Sequence, residues 1–355
     1  MHLTDIWFIL IAVLWTGYFV LEGFDFGVGM LLSVLSRDNA DRRVLLNSIG
    51  PVWDGNEVWL LVAGGATFAA FPAWYATLFS GFYLALLLIL VALIGRIIAL
   101  EFRGKIDSDR WRRNFDRIIV ASSTLPALLW GVAFGNIVAG VPLNAAHEYT
   151  GTFFTLLNPY ALLGGLATLT VFALQGCRFV AMKTEGAVRD RANRLSWQLS
   201  GITVACVGGF LVWTQLAHGG AWTLITATLA ALLLVGGIVA GVAGREMGAF
   251  ALNSAAIKAF TATLFVALYP NVLPSTVSAA NSLTVTNASS SPYTLTIMTW
   301  VAVVCTPVVL AYQGWTYWVF RQRIGRGAMT TPTGLPVKSV NSVNGARHRS
   351  QRARG

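Results

Sequence analysis

Apolar runs long enough to cross about 30 Å of hydrocarbon recur along the chain, separated by polar or turn-forming stretches. They fall at roughly 6–35, 57–71, 77–102, 118–138, 160–182, 197–216, 222–243, 254–269 and 295–320. A helix satisfies its own backbone in lipid, so nine such runs predict an all-α polytopic membrane protein. The second and eighth runs are short, whereas the first and ninth are long enough to tilt or continue past the bilayer. The connection 270–294 is rich in Ser, Thr and Asn and reads as a solvated loop. The Pro-, Asn- and Arg-rich tail after Thr330 reads as disordered, with basic residues suited to anionic lipid headgroups.

Charge sharpens this pattern into an orientation. Arg37, Arg42 and Arg43 follow the first run, Arg103 to Arg117 the third, Lys183 to Arg194 the fifth, Arg245 the seventh and Arg321 to Arg326 the ninth. The intervening connections 71–76, 139–159, 217–221 and 270–294 contain no Lys or Arg. The positive-inside rule then predicts an outer N-terminus and a cytoplasmic C-terminus. Composition agrees: 55% of the 355 residues are apolar and 11% are charged, against roughly 25% charged in soluble domains. The net charge of +10 does not signify nucleic-acid binding, because the basic residues are segregated by loop rather than gathered on one face. Nothing at the start reads as a cleaved signal. Cys177, Cys206 and Cys305 all lie inside apolar runs, which argues against a disulfide framework.

Four acids break the apolar pattern early: Glu22 and Asp25 in "LEGFDFGVGM", and Asp54 and Glu57 in "PVWDGNEVW". If Trp7 marks the outer interface, Asp25 lies about 27 Å further in at 1.5 Å per residue, with Glu22 one turn deeper in the membrane. The second run starts from the cytoplasmic side, so antiparallel neighbours bring both pairs to one depth. Each pair is spaced i, i+3 and shares a helix face. Arg96 and Glu101, at the inner end of the third run, join them. Acids at one depth, open toward the cytoplasm, suit the mouth of a proton pathway. Plainer alternatives remain: Asp54 and Glu57 fit a capping box, and Asp25 could pair with Arg42. Gly23-x-x-x-Gly27 and Gly131-x-x-x-Gly135 predict close helix contacts.

Other chemistry lacks its residues. His2, His147, His218 and His348 stand at outer ends, in loops or in the tail, so none is placed for an intramembrane haem. Met30 and Met298 read as packing, and no Cys/His cluster, Walker motif or nucleophile elbow occurs. Redox chemistry would have to be carried by another chain.

The segments "GFDFGVGML", "NSIGPVWDGNEVWLLVAGGATFAAFPAWYA", "SGFYLALLLIL", "EFRGKIDSDRWRRNFD", "GVAFGNIVAGVP" and "GTFFTLLNPYALLGGL" resemble subunit II of cytochrome bd-type quinol oxidases. The likeness is dense over residues 1–180 and continues to about 320 in helix count and spacing. It implies two four-helix bundles, here 1–138 and 139–270, then an outer loop over 271–294, a peripheral ninth helix over 295–326 and a tail over 327–355. It also implies a pseudo-symmetric heterodimer with a subunit I that holds two b-type haems, haem d and the quinol site. That complex oxidises quinol and reduces O2 to water with cytoplasmic protons. Subunit II stabilises the haem core, ligates no haem itself, and in some members holds a structural quinone; small accessory subunits also occur. By this resemblance Asp54 matches a proton-pathway aspartate, and Asp25 and Glu101 match further acids on the cytoplasmic side. Trp59 matches an aromatic bordering an oxygen-entry channel, with simple packing as the alternative. Asp116, together with Asp25, suits a structural cation, although Asp116 equally suits a helix cap. The rival from another class is a stand-alone proton- or cation-coupled transporter, which would show inverted repeats and helices broken at the midplane. The charges here collect at one face instead.

Overall fold

A computed structural model describes residues 2–329 and 335–336. The chain is all-α, and eight of the described helices are long and apolar enough to cross a membrane. Helix α1 (Leu3–Met30) is followed by a one-turn helix α2 (Leu32–Leu35) and a short polar helix α3 (Asn39–Ile49). Next come α4 (Trp53–Ala70), α5 (Pro72–Gly81), α6 (Tyr83–Phe102) and α7 (Asp109–Ala139). The second half holds α8 (Pro159–Lys183), α9 (Gly186–His218), α10 (Ala221–Val242), α11 (Glu246–Leu268) and α12 (Pro292–Val319).

Several expected spans break or lengthen for local reasons. The run expected at 6–35 stops at Leu31, and the one at 77–102 splits at Phe82, just beyond Gly81, which abuts the Tyr149 ring. Pro159 and Pro292 start α8 and α12 at first-turn positions, where a missing N–H costs nothing. Asn158 and Ser291 cap those starts. Helices α7, α9 and α11 begin before the hydrophobic runs that revealed them, because their first turns are charged. The second expected span is α4, only 18 residues long and carrying Asp54, Asn56 and Glu57 near its start. It therefore falls outside the eight long apolar helices.

Helix α1 sits at the centre, packed against α4, α7, α8 and α11. Helices α6 and α7 pack together on one side, and α8, α9, α10 and α11 form a layer on the other. Backbones meet where side chains are missing. A Cβ on Gly27 would lie 2.1 Å from the Phe172 carbonyl oxygen, and one on Gly131 2.2 Å from that of Gly164. These are the α1–α8 and α7–α8 crossings. Aromatic residues fill the centre, with Trp15, Tyr18, Phe19, Trp130 and Phe134 in mutual ring contact. Helix α12 is peripheral and touches α1 and α4.

The connection 270–294 is more ordered than its composition suggested. Short strands at Asn271–Leu273 and Leu283–Thr284 pair antiparallel, and Val272, Leu273 and Leu283 are buried. Val141 and Pro274 tie it to the connection 140–158 through a backbone hydrogen bond of 3.0 Å. Polar Ser and Thr residues satisfy the turns, while alternate apolar residues cap the bundle ends. On the opposite face the expected tail begins in a short 3-10 turn, Arg326–Met329, whose Met329 carbonyl accepts from Arg43 at 2.8 Å. Most of that tail, His348 included, lies outside the described residues.

Candidate functional site

The C-terminal half of α1 is buried on nearly all sides, and this carries Glu22 and Asp25 into the interior. Both are fully buried, as are Asn56 of α4 and Arg96 of α6. Arg96 Nη1 is paired with Glu22 Oε1 and lies 3.8 Å from Glu57 Oε2. Its guanidinium also stands over the Phe26 ring, 4.9 Å from the centroid. Asp25 Oδ2 accepts from Asn56 Nδ2 at 2.7 Å. Two carboxyls from two helices thus reach one guanidinium, and the third, Asp25, lies one turn along α1 from Glu22. Glu22 Oε2, Asp25 Oδ1, Glu57 Oε2 and Arg96 Nη2 are buried without a hydrogen-bond partner among the described residues. Such open valences in a low-dielectric interior are costly unless a proton or water uses them.

Access is graded. Asp54 is exposed at the start of α4, Glu57 is partly buried, and Glu22 and Asp25 are sealed. The capping alternative for Asp54 fails, because the N-cap of α4 is Val52 and no side chain caps it. The Arg42 alternative for Asp25 fails too. Arg42 reaches Asp116 at 3.2 Å and Ser36 at 3.2 Å. Glu101 is exposed in the last turn of α6 and does not join the cluster.

Asp116 is buried on α7 and held by Arg103 at 2.5 Å as well as by Arg42. Two guanidiniums leave its carboxylate no charge for a cation to balance, and it shares no partner with Asp25. Among the described residues, no group of three or more His, Cys, Asp or Glu could hold a metal ion. Asp41 and Glu246 form similar stitches on the same face, Asp41 with Arg191 at 2.6 Å and Glu246 with Arg189 at 2.6 Å and Arg323 at 2.7 Å.

Trp59 is oriented by a hydrogen bond from its indole N–H to Gln313 Oε1 of α12, at 2.7 Å. Gln313 Nε2 and the Tyr317 hydroxyl both reach Asn56 Oδ1, at 3.1 and 2.8 Å. The sequence reasoning missed Asn56, Gln313 and Tyr317. The available signal was polar side chains at i, i+4 in an otherwise apolar ninth run.

Known proteins share this architecture. A family model described as cytochrome bd terminal oxidase subunit II matches residues 3–320. The cytochrome bd ubiquinol oxidase subunit 2 of Bacillus subtilis (strain 168) is 39% identical over 331 residues, covering 91% of this chain and 97% of that protein. The cytochrome bd-I ubiquinol oxidase subunit 2 of Escherichia coli (strain K12) is 38% identical over 357 residues, covering 90% and 94%. A chain in the structure of bd oxidase from Geobacillus thermodenitrificans superposes with a TM-score of 0.73 at 16% identity, covering 90% of this chain and 99% of that one. Its likeness shows the fold. With a family model spanning nearly all described helices and two full-length relatives, this multi-pass bacterial membrane protein belongs to the cytochrome bd terminal oxidase subunit II family.

Proposed function

We propose that this chain is the subunit of a heterodimeric quinol:O2 oxidoreductase that delivers cytoplasmic protons toward haems held by its partner, subunit I. The observation that carries this reading is the gathering of Glu22, Asp25 and Glu57 around Arg96, below an exposed Asp54. One guanidinium balances one carboxylate. In a dry interior the other two carboxyls are neutral only with a proton each, so the site is a store that loads from the cytoplasmic end. Asp54 and Glu57 form the entry, Glu22 and Asp25 the buried end, and the exposed Glu101 gathers protons at the surface.

The haem-bearing partner is read onto the apolar outer faces of α4 and α12, where Leu61, Phe68, Val301 and Trp315 are exposed. Covering them would set the acid cluster beside the haem subunit while Asp54, at the start of α4, stays open to the cytoplasmic end. Trp59, part-way along α4, is the residue through which an oxygen route would pass. The two b-type haems and haem d belong to subunit I in this reading. An apolar groove of about 870 Å³ near the outer ends of α1, α10 and α11, lined by Phe8, Val13, Trp222 and Phe265, is the candidate seat of a structural quinone. Small accessory subunits and lipid would cover other apolar faces. The nine-span, N-out arrangement read from the sequence sets the acid cluster toward the cytoplasm, as this function requires.

The test is quinol-driven oxygen uptake by the haem-loaded complex carrying Asp25→Asn or Glu57→Gln. Loss of a proton-transfer group is expected to lower turnover about a hundredfold or more with the haem spectrum retained. Wild-type turnover in both variants would remove the proton route and leave a purely structural subunit. A colourless chain that moves a solute when reconstituted alone would favour the transporter.

A further inference from the structure

We propose that Trp59, Gln313 and Asn56 form a hydrogen-bond relay of fixed direction that positions Asp25, making its Oδ2 an acceptor and its Oδ1 the oxygen that takes up and releases the proton. This deepens, and rests on, the proton route proposed above.

The direction follows from what each group can donate. An indole N–H only donates. It meets Gln313 Oε1 at 2.7 Å, so that atom is the amide carbonyl and Gln313 Nε2 is the donor. Nε2 then donates to Asn56 Oδ1 at 3.1 Å, where the Tyr317 hydroxyl also donates at 2.8 Å. With its carbonyl occupied twice, Asn56 turns its NH2 to Asp25 Oδ2 at 2.7 Å. A lone carboxamide can sit either way round with little change in shape. A chain of two carboxamides that ends in an indole cannot.

The consequence falls on Asp25. A proton on Oδ2 would face the amide hydrogens of Asn56, so the proton occupies Oδ1, which is buried and has no hydrogen-bond partner among the described residues. The charged and titratable groups acting around it are Glu22 of its own helix, Glu57 of α4, Arg96 of α6 and Tyr317 of α12. Two features are otherwise unexplained. Helix α1 carries glycine at position 17, where a Cβ would lie 2.3 Å from Trp59 Cζ3, so the glycine admits the ring that starts the relay. Helix α12 exposes an almost wholly apolar surface, yet sets Gln313 and Tyr317 on the face it turns to α4. A helix that served only as a lipid-facing buttress would carry no polar pair there.

The experiment compares Trp59→Phe and Gln313→Glu in the complete haem-loaded complex. Trp59→Phe keeps the ring and removes the donor. Gln313→Glu keeps an acceptor for Trp59 but, as a carboxylate, gives Asn56 no hydrogen. In both, kcat for quinol-driven oxygen uptake is expected to fall about three- to tenfold and its pH profile to shift, while the apparent KM for O2 stays within about twofold. If either variant loses haem, Gln313→Met carries the same test. An unchanged kcat and pH profile, with Asp25→Asn inactive, overturns the relay and leaves the proton route standing. A raised KM for O2 alone assigns Trp59 to oxygen passage and also overturns it. A fully active Asp25→Asn overturns the relay, and the proton route falls with it when Glu57→Gln is fully active as well.

Discussion

Each half of the molecule buries an arginine beside the crossing of α1 and α8, and each surrounds it differently. Arg96 pairs with Glu22 and Glu57, and Asp25 lies one turn along α1 from Glu22. Arg178 of α8 has no carboxyl partner among the described residues. Its Nη1 donates to Asn253 Oδ1 at 2.8 Å and to the Ala249 carbonyl at 3.3 Å, and its Nε is buried without a partner among the described residues. Asn253 continues to Gln175, and Gln175 to Ser254 at 2.6 Å. Gly237 of α10 leaves the space, since a Cβ there would lie 2.7 Å from Arg178 Nη1. Both clusters are polar, buried and close to the Gly27–Gly176 contact. Only the first can change its proton count, because amides and hydroxyls hold theirs near neutral pH. Burial of a polar group therefore does not by itself set the two clusters apart; the surplus of carboxyls over guanidiniums does.

The comparison breaks most completely at the contact both clusters share. Gly27→Leu would drive a side chain into the Phe172 carbonyl and the Gly176 backbone. It is expected to abolish recovery of a haem-loaded complex, as judged by the visible spectrum of purified membranes. A sharper cut separates the two arginines. Arg96→Met strands a buried carboxylate and is expected to cost about 3–5 kcal/mol. Arg178→Met strands no ion and is expected to cost about 1 kcal/mol or less. Thermal melting of the solubilised complex, followed by haem absorbance, reads both. Equal losses would mean that the clusters do not differ in charge balance.

The smallest effect belongs to the ion pair between Asp38 and Arg326. The backbone N–H of Asp41 and the side chain of Arg326 hold the Asp38 carboxyl below its ordinary value. A depressed folded value contributes stability that is present above the usual carboxylate range, near pH 4, and is lost as pH falls through the depressed value. Acid melting curves of wild type and Asp38→Asn should thus differ slightly above about pH 4 and converge below it. Because Asp38 is exposed, solvent screening keeps the difference small. A gap that widened on acidification would contradict this.

Much of this was legible along the chain. The all-α fold follows from long apolar runs, since hydrocarbon leaves the backbone no other partner than itself. Glu22, Asp25 and Glu57 were visible as carboxyls placed where lipid would reject them, and Gly27 as a site of close approach. What the amino-acid order could not decide was which of the nearby charges would meet. Asp54, Glu57, Glu101 and Asp116 all lie near one membrane face, yet Glu57 turns toward Arg96, Asp116 is taken by Arg103 and Arg42, and Asp54 and Glu101 remain exposed. That choice depends on helix rotation, which sequence spacing fixes within one helix but not between two. Asn56, Gln313 and Tyr317 come together across more than 250 residues of intervening chain. Their partnership exists only once α12 has packed on α4, because a hydrogen bond requires its two atoms within about 3 Å and at a set angle.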